Sequence, residues 1–411
     1  MIIRYKKKDK FFICLYFSMI TILLLTEVEN FTIGGPLRKI KYLYIFLMFV
    51  YMIYTHKISG RLVMALLPLM VLTTHAILWG TEFVNPDVYS YTQKHVRECL
   101  ILYLVIFVTF YYVVVTHSFL LFVELSYIAV LCQLAFAAVT HFGNFVNPLY
   151  YIYIFNESMR IRYTFGFCAW GYVGNYTYCA LALSLILFCY LKDVENNKLS
   201  LGIIAFGDFS ALCMACSAAS RSTLIAGFLT VFYYLTFEYF RKSRKQSIRI
   251  WICILIIAIT AGLIIYCLNN GTRDLNIEGN MEAFRQLGSK WTGMGYVENH
   301  NFQEDNSVFS VETTSLDISY VYYYFTTGIL GLFFIIGAAA MILIMLFFCQ
   351  SKYKTAVLAI YVSMLFYAQW QVNLFSYSFF STIIFMVIYL SAIADRTGNQ
   401  NNESIVKFDI L

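Results

Sequence analysis

Apolar residues along this chain gather in long blocks. They neither alternate as in half-buried strands nor recur as the narrow stripe of a soluble amphipathic helix. A helix that crosses a bilayer needs roughly 20 mostly apolar residues. Twelve stretches approach or meet that length, near residues 11–28, 40–56, 62–80, 99–116, 118–140, 172–191, 200–218, 222–240, 250–268, 329–349, 355–370 and 373–393. The second and eleventh are short, so the pattern predicts an all-α polytopic membrane protein with 10–12 transmembrane helices. Residues 1–411 read as a single membrane domain.

Composition supports the pattern. Of 411 residues, 60% are hydrophobic and only 13% charged, against roughly 25% charged in soluble domains. A surface that poor in charge needs lipid as its solvent over much of its area. Aromatic residues make up 19%, with 34 Tyr. Tyr suits the membrane interface, where one end of the ring is dry and the other wet.

The first apolar stretch follows Arg4, Lys6, Lys7, Lys8 and Lys10 and runs into Thr26-Glu-Val-Glu-Asn. It has no small-residue cleavage site, so it reads as an uncleaved first helix rather than a signal peptide. The eleven cysteines lie mostly inside apolar runs. Cys213 and Cys216 form a C-x-x-C with no His nearby, a spacing read first as packing by small hydrophobes and second as metal or redox chemistry.

Orientation follows from Lys and Arg in the short connections. Threading twelve spans from a cytoplasmic N-terminus places 18 of the 29 basic residues inside, including Arg241, Lys242, Arg244, Lys245 and Arg249. Both termini are then cytoplasmic. The outer face holds the two long polar segments, about 141–171 and about 269–317. The second is one long extracytoplasmic loop within the membrane domain, and a loop of that length is usually functional or disordered. Trp291, Gly293, Gly295 and Tyr296 argue against full disorder.

Four arginines fall on or near the outer boundary: Arg160, Arg162, Arg221 and Arg285. Arg221 stands between two apolar runs with almost no loop around it. One reading is an arginine snorkelling to headgroups. The other is a shared anionic ligand, since guanidinium binds phosphate through two parallel hydrogen bonds. Glu124 and Asp208 lie within predicted spans and read either as polar contacts between helices or as proton-coupling groups. Glu238 lies near a cytoplasmic end and reads as solvated. His300 stands in the long outer loop, either simply solvated or suited to general-base work. No nucleotide-binding, metal-binding or nucleophile motif is present, and no cofactor or metal is expected.

Four pieces in this order resemble the O-antigen polymerase and O-antigen ligase superfamily. They are Arg162-Tyr-Thr-Phe-Gly166 followed by Asn175; Ser220-Arg221-Ser222; Arg285, Trp291, Gly293 and Gly295; and Asp317-Ile-Ser-Tyr320 followed by Gly328-Ile-Leu-Gly331. The resemblance covers about residues 155–350. Ser222 replaces the family's usual Gly. Ligases commonly carry His-Asn where Asp317 stands, and His300 lies seventeen residues upstream, out of register. The departure favours a polymerase.

The resemblance implies a membrane glycosyltransferase of the bacterial cytoplasmic (inner) membrane. It would polymerise undecaprenyl-pyrophosphate-linked oligosaccharide repeats into O-antigen, capsule or exopolysaccharide on the outer face. Arg162, Arg221, Arg285 and Arg160 would hold pyrophosphate. Asp317 first, and His300 second, would serve as catalytic base. Tyr320, Tyr322, Tyr323 and Tyr324 would either stack on sugars or form an interfacial belt. The implied partners are the lipid-linked oligosaccharide, membrane lipid and a chain-length regulator protein, with no nucleic acid. The alternatives are an O-antigen ligase and a lipid-linked oligosaccharide flippase or secondary transporter using Glu124 and Asp208.

Overall fold

The computed structural model describes residues 2–3, 43, 46–47, 50, 67–81, 100, 103–104, 119–142, 164–165, 168–192, 198–217, 221–242, 281, 284–285, 289–293, 319–349, 351, 353–368, 387–388 and 408–409. The main helices are α1 (Leu67–Thr81), α2 (Phe119–Phe142), α3 (Trp170–Leu191), α4 (Lys198–Ser217), α5 (Arg221–Lys242), α6 (Ser319–Phe348) and α7 (Lys354–Tyr367). Two short antiparallel pairs accompany them: β1 (Ile2–Ile3) with β4 (Phe408–Asp409), and β2 (Thr164–Phe165) with β3 (Cys168–Ala169).

Stretches within α2, α3, α5 and α6 are long and apolar enough to cross a membrane: Phe119–Val139, Val173–Leu191, Ser222–Lys242 and Tyr320–Phe348. The protein is a helical membrane protein in the part described. Helices answer the demand that lipid makes on the backbone, because each N–H and C=O is satisfied within the segment. Hydroxyl side chains inside the helices are satisfied the same way. Thr73 donates to the Leu69 carbonyl at 2.8 Å, Thr230 to Ala226 at 2.9 Å and Ser363 to Ala359 at 2.7 Å. A hydroxyl folded back on the preceding turn adds no unpaired polar atom to an apolar face.

Seven predicted stretches coincide with these helices. The stretches at 11–28 and 250–268 lie outside the described residues. Within those at 40–56, 99–116 and 373–393, the described residues 43, 46–47, 50, 100, 103–104 and 387–388 are helical. One boundary differs from expectation. The span expected at 329–349 begins at Ser319, because a second helical piece, rich in Tyr, precedes Gly328. Tyr lowers the apparent hydropathy of that piece, yet Tyr323 is buried and the Tyr320 hydroxyl donates to the Leu365 carbonyl at 2.9 Å.

Among the described helices, α3 is the most central. It packs against α2, α4, α5 and α7, and 72% of its span is buried. Tyr176, Cys179, Ala180, Ala182, Leu183 and Ile186 fill its interfaces. Helix α7 packs most closely on α5, and α6 packs on α1 and α7. Among the described residues only 28% of the α6 span is buried.

Candidate functional site at the arginine end of the bundle

A chain of contacts gathers one end of the bundle. At the head of α3, Asn175 Oδ1 accepts a 2.8 Å hydrogen bond from the Tyr367 hydroxyl at the tail of α7. The same hydroxyl lies 3.2 Å from Thr223 Oγ1 at the head of α5. Two residues earlier in α7, Leu365 holds Tyr320 at the head of α6. The pair β2–β3 leads directly into α3 and packs on α2 and α3. The heads of α3, α5 and α6 and the tail of α7 therefore share this end, which we term the arginine end because α5 begins at Arg221.

The described part of the 269–317 segment is stitched to the start of α6. Helix α6 breaks at Gly328, where φ is 65° and ψ −167°. A break frees the first N–H groups of the helical piece that follows. Two of them find partners outside the helix: Ile329 N–H donates to the Lys290 carbonyl at 2.9 Å and Leu330 N–H to the Trp291 carbonyl at 3.1 Å. Both acceptors lie in a tight turn closed by paired Ser289 and Gly293 bonds of 3.1 and 2.7 Å. Trp291 N–H donates to Ser289 Oγ at 3.2 Å, which further stiffens the turn.

Glycine is required on both sides of this contact. Gly293 has φ 76°, a left-handed conformation that L side chains resist, and a Cβ there would overlap the Thr326 carbonyl. A Cβ on Gly328 would come within 2.5 Å of the Trp291 carbonyl. The third tie is Trp79 at the tail of α1. Its indole N–H donates to the Thr292 carbonyl at 2.8 Å. The Trp79 ring stacks on His75 at 4.7 Å and meets Phe334 edge-on at 5.9 Å. A Cβ on Gly331 would lie 3.1 Å from it. Upstream, Phe284 is buried against Phe325 and Tyr324 at ring distances of 5.1 and 5.4 Å, with the exposed Arg285 beside it. The Trp291 side chain is 62% exposed, although its backbone is held.

Of the residues singled out from the sequence, Arg285 and the head of α5 at Arg221 belong to this end. Arg160, Arg162, His300 and Asp317 lie outside the described residues, as does the Arg221 side chain. Tyr320 and Tyr323 serve helix packing: Tyr323 is buried among His75 and Tyr322. Tyr322 and Tyr324 are partly open. Cys213 and Cys216 form no disulfide among the described residues and are exposed on α4, so neither is buried in the described core.

The acids separate. Asp208 accepts a 3.1 Å hydrogen bond from Tyr127 of α2. Gly207 permits that approach, since a Cβ there would stand 2.6 Å from the Tyr127 hydroxyl. Glu238 lies in the last turns of α5, opposite the arginine end, paired with Arg241 at 3.0 Å and Lys242 at 3.5 Å. Glu124 is half-buried on α2.

Trp79, Thr223, Tyr367 and Phe284 were not singled out in the sequence. A Trp at the end of an apolar stretch is the one faint signal, since its N–H usually finds a partner when buried. Neither protein-family models nor curated proteins give a match to this chain.

Proposed function

We propose that this protein is a glycosyltransferase of the bacterial cytoplasmic membrane that polymerises undecaprenyl-pyrophosphate-linked oligosaccharide repeats on the outer face. One observation carries the reading. The four sequence pieces that resemble the O-antigen polymerase and ligase superfamily are far apart in the chain, yet described residues in or beside them are linked: Asn175 through Tyr367 to Thr223, Tyr320 to the same tail of α7, and the start of α6 after Gly328 to the 289–293 turn. A reaction that joins two lipid-anchored substrates needs its groups at one membrane boundary.

In this reading the acceptor hydroxyl attacks the anomeric carbon of the donor sugar. The bond from that carbon to pyrophosphate breaks, and the acceptor proton passes to a base, Asp317 first and His300 second. Arg162, Arg221, Arg285 and Arg160 hold the departing polyanion, stabilising charge as it develops. The arginine end is then outside and both chain termini are cytoplasmic.

The test is the surface polysaccharide of a deletion strain. Loss of long chains, with single repeat units retained, is the expected outcome. Unchanged chains would refute the reading, and loss of every repeat unit would favour the flippase alternative. Reporter fusions after residue 245 should read as cytoplasmic and those near residue 300 as external.

A further inference from the structure

Among the described residues, the segment that carries Arg285 is attached to the bundle at two places. Phe284 sits against Phe325 and Tyr324 on the piece of α6 before the break. The Ser289–Gly293 turn sits in the break itself. Arg285 lies in the chain between these attachments. The backbone bonds from Ile329 and Leu330 tie the turn to α6 alone. The indole N–H of Trp79 ties the same turn to α1, a second helix. Trp79 is itself 1% exposed, braced by His75 and Phe334, so it offers a donor fixed in direction.

We propose that Trp79 is a positioning residue that fastens the outer segment into the break of α6 and thereby sets the place of Arg285. The part assigned to Arg285 rests on the transfer reading above. An arginine that must meet charge appearing in a transition state works only when held in place beforehand. A short turn within a long polar segment would otherwise lose that placement to chain entropy. Helix α1 carries none of the resembling pieces, so this assigns a role to a helix outside them.

The experiment uses the full-length protein in lipid nanodiscs and compares wild type with Trp79→Phe. That change keeps the ring on His75 and Phe334 and removes the N–H. Trypsin cleavage after Arg285 and Lys290 should speed up about five- to tenfold, the effect of one lost hydrogen bond on local opening. Cuts within 241–249 should be unchanged. Equal rates at Arg285 and Lys290 would overturn the fastening. Trp79→Tyr removes the same indole N–H while keeping an aromatic ring, so the same comparison is made in it if Trp79→Phe does not accumulate, and unchanged cuts there would likewise overturn the fastening.

The positioning claim is read in the host. Polysaccharide yield per unit of membrane protein should fall about five- to tenfold in Trp79→Phe. Combined with Arg285→Lys it should fall no further than in Arg285→Lys alone, since residues acting through one group are not additive. Multiplying losses would overturn the positioning role. If deletion of the protein leaves the polysaccharide intact, the transfer reading fails while the trypsin comparison still decides the fastening.

Discussion

The middle of the bundle and its arginine end solve the same problem in opposite ways. Both must satisfy polar groups in apolar surroundings. In the middle, intact helices do it with side chains. The Tyr178 hydroxyl lies 3.0 Å from Ser363 Oγ and accepts from Thr230 Oγ1 at 3.4 Å, and Thr230 and Ser363 are 2.7 Å apart. At the end, the main chain itself is broken, and a turn from a distant segment supplies the missing carbonyls. The middle is regular and its polar groups close on one another. The end uses positive-φ glycines, Gly293 and Gly328. Departures from local regularity concentrate where function needs them. On the proposed function, the middle is scaffold and the end is where transfer takes place.

The sharpest way to break this comparison is Gly293→Ala. The left-handed backbone costs an Ala about 1–2 kcal/mol, and the overlap with the Thr326 carbonyl adds a further ~1–3 kcal/mol of overpacking. Thermal stability in detergent and the amount of protein in the membrane should both drop. An unchanged melting temperature would mean that the turn is not seated in the break.

Arg221→Lys separates an end that grips an anion from one that merely anchors in headgroups. Lys also reaches headgroups from a long stem, but it lacks the two-pronged geometry. One lost charge-assisted contact is worth about 1.5–3 kcal/mol, or roughly ten- to a hundredfold in rate. Chain-length distribution at matched membrane level measures it. Wild-type chains in that variant would remove Arg221 from the pyrophosphate role.

For the middle, Tyr178→Phe should do the reverse. Stability should fall by about 1 kcal/mol, while activity per folded molecule stays the same. Thr230 and Ser363 retain their mutual bond, which keeps the loss small. A large fall in specific activity would move chemistry into the middle and undo the contrast.

The smallest effect is expected from Asp208→Asn. The amide keeps an acceptor for the Tyr127 hydroxyl, and hydrogen bonds between helices in membranes average about 0.6 kcal/mol. Polysaccharide should be normal. Its loss at normal protein level would favour a transporter that uses the intramembrane acids.

Much of the architecture was open to reading from the sequence, because lipid imposes a length and composition rule on each helix separately. Stretches such as 118–140 and 172–191 meet that rule on their own and appear as α2 and α3. Glu238 reads from the sequence as solvated, whereas its side chain is 17% exposed and paired with Arg241 and Lys242. The candidate site was legible only as separate pieces. Gly293 and Gly328 stand out as motif glycines, but nothing along the chain says that Gly328 makes room for the backbone at Trp291 and Gly293, and Gly293 for that at Thr326 and Thr327. The early start of α6 and the seat of the turn in its break, like the Trp79–Thr292 bond across 213 positions, were decided only by tertiary structure. Hydropathy is a property of neighbours in sequence, whereas a broken helix is completed by whichever distant carbonyls the fold brings to its free N–H groups.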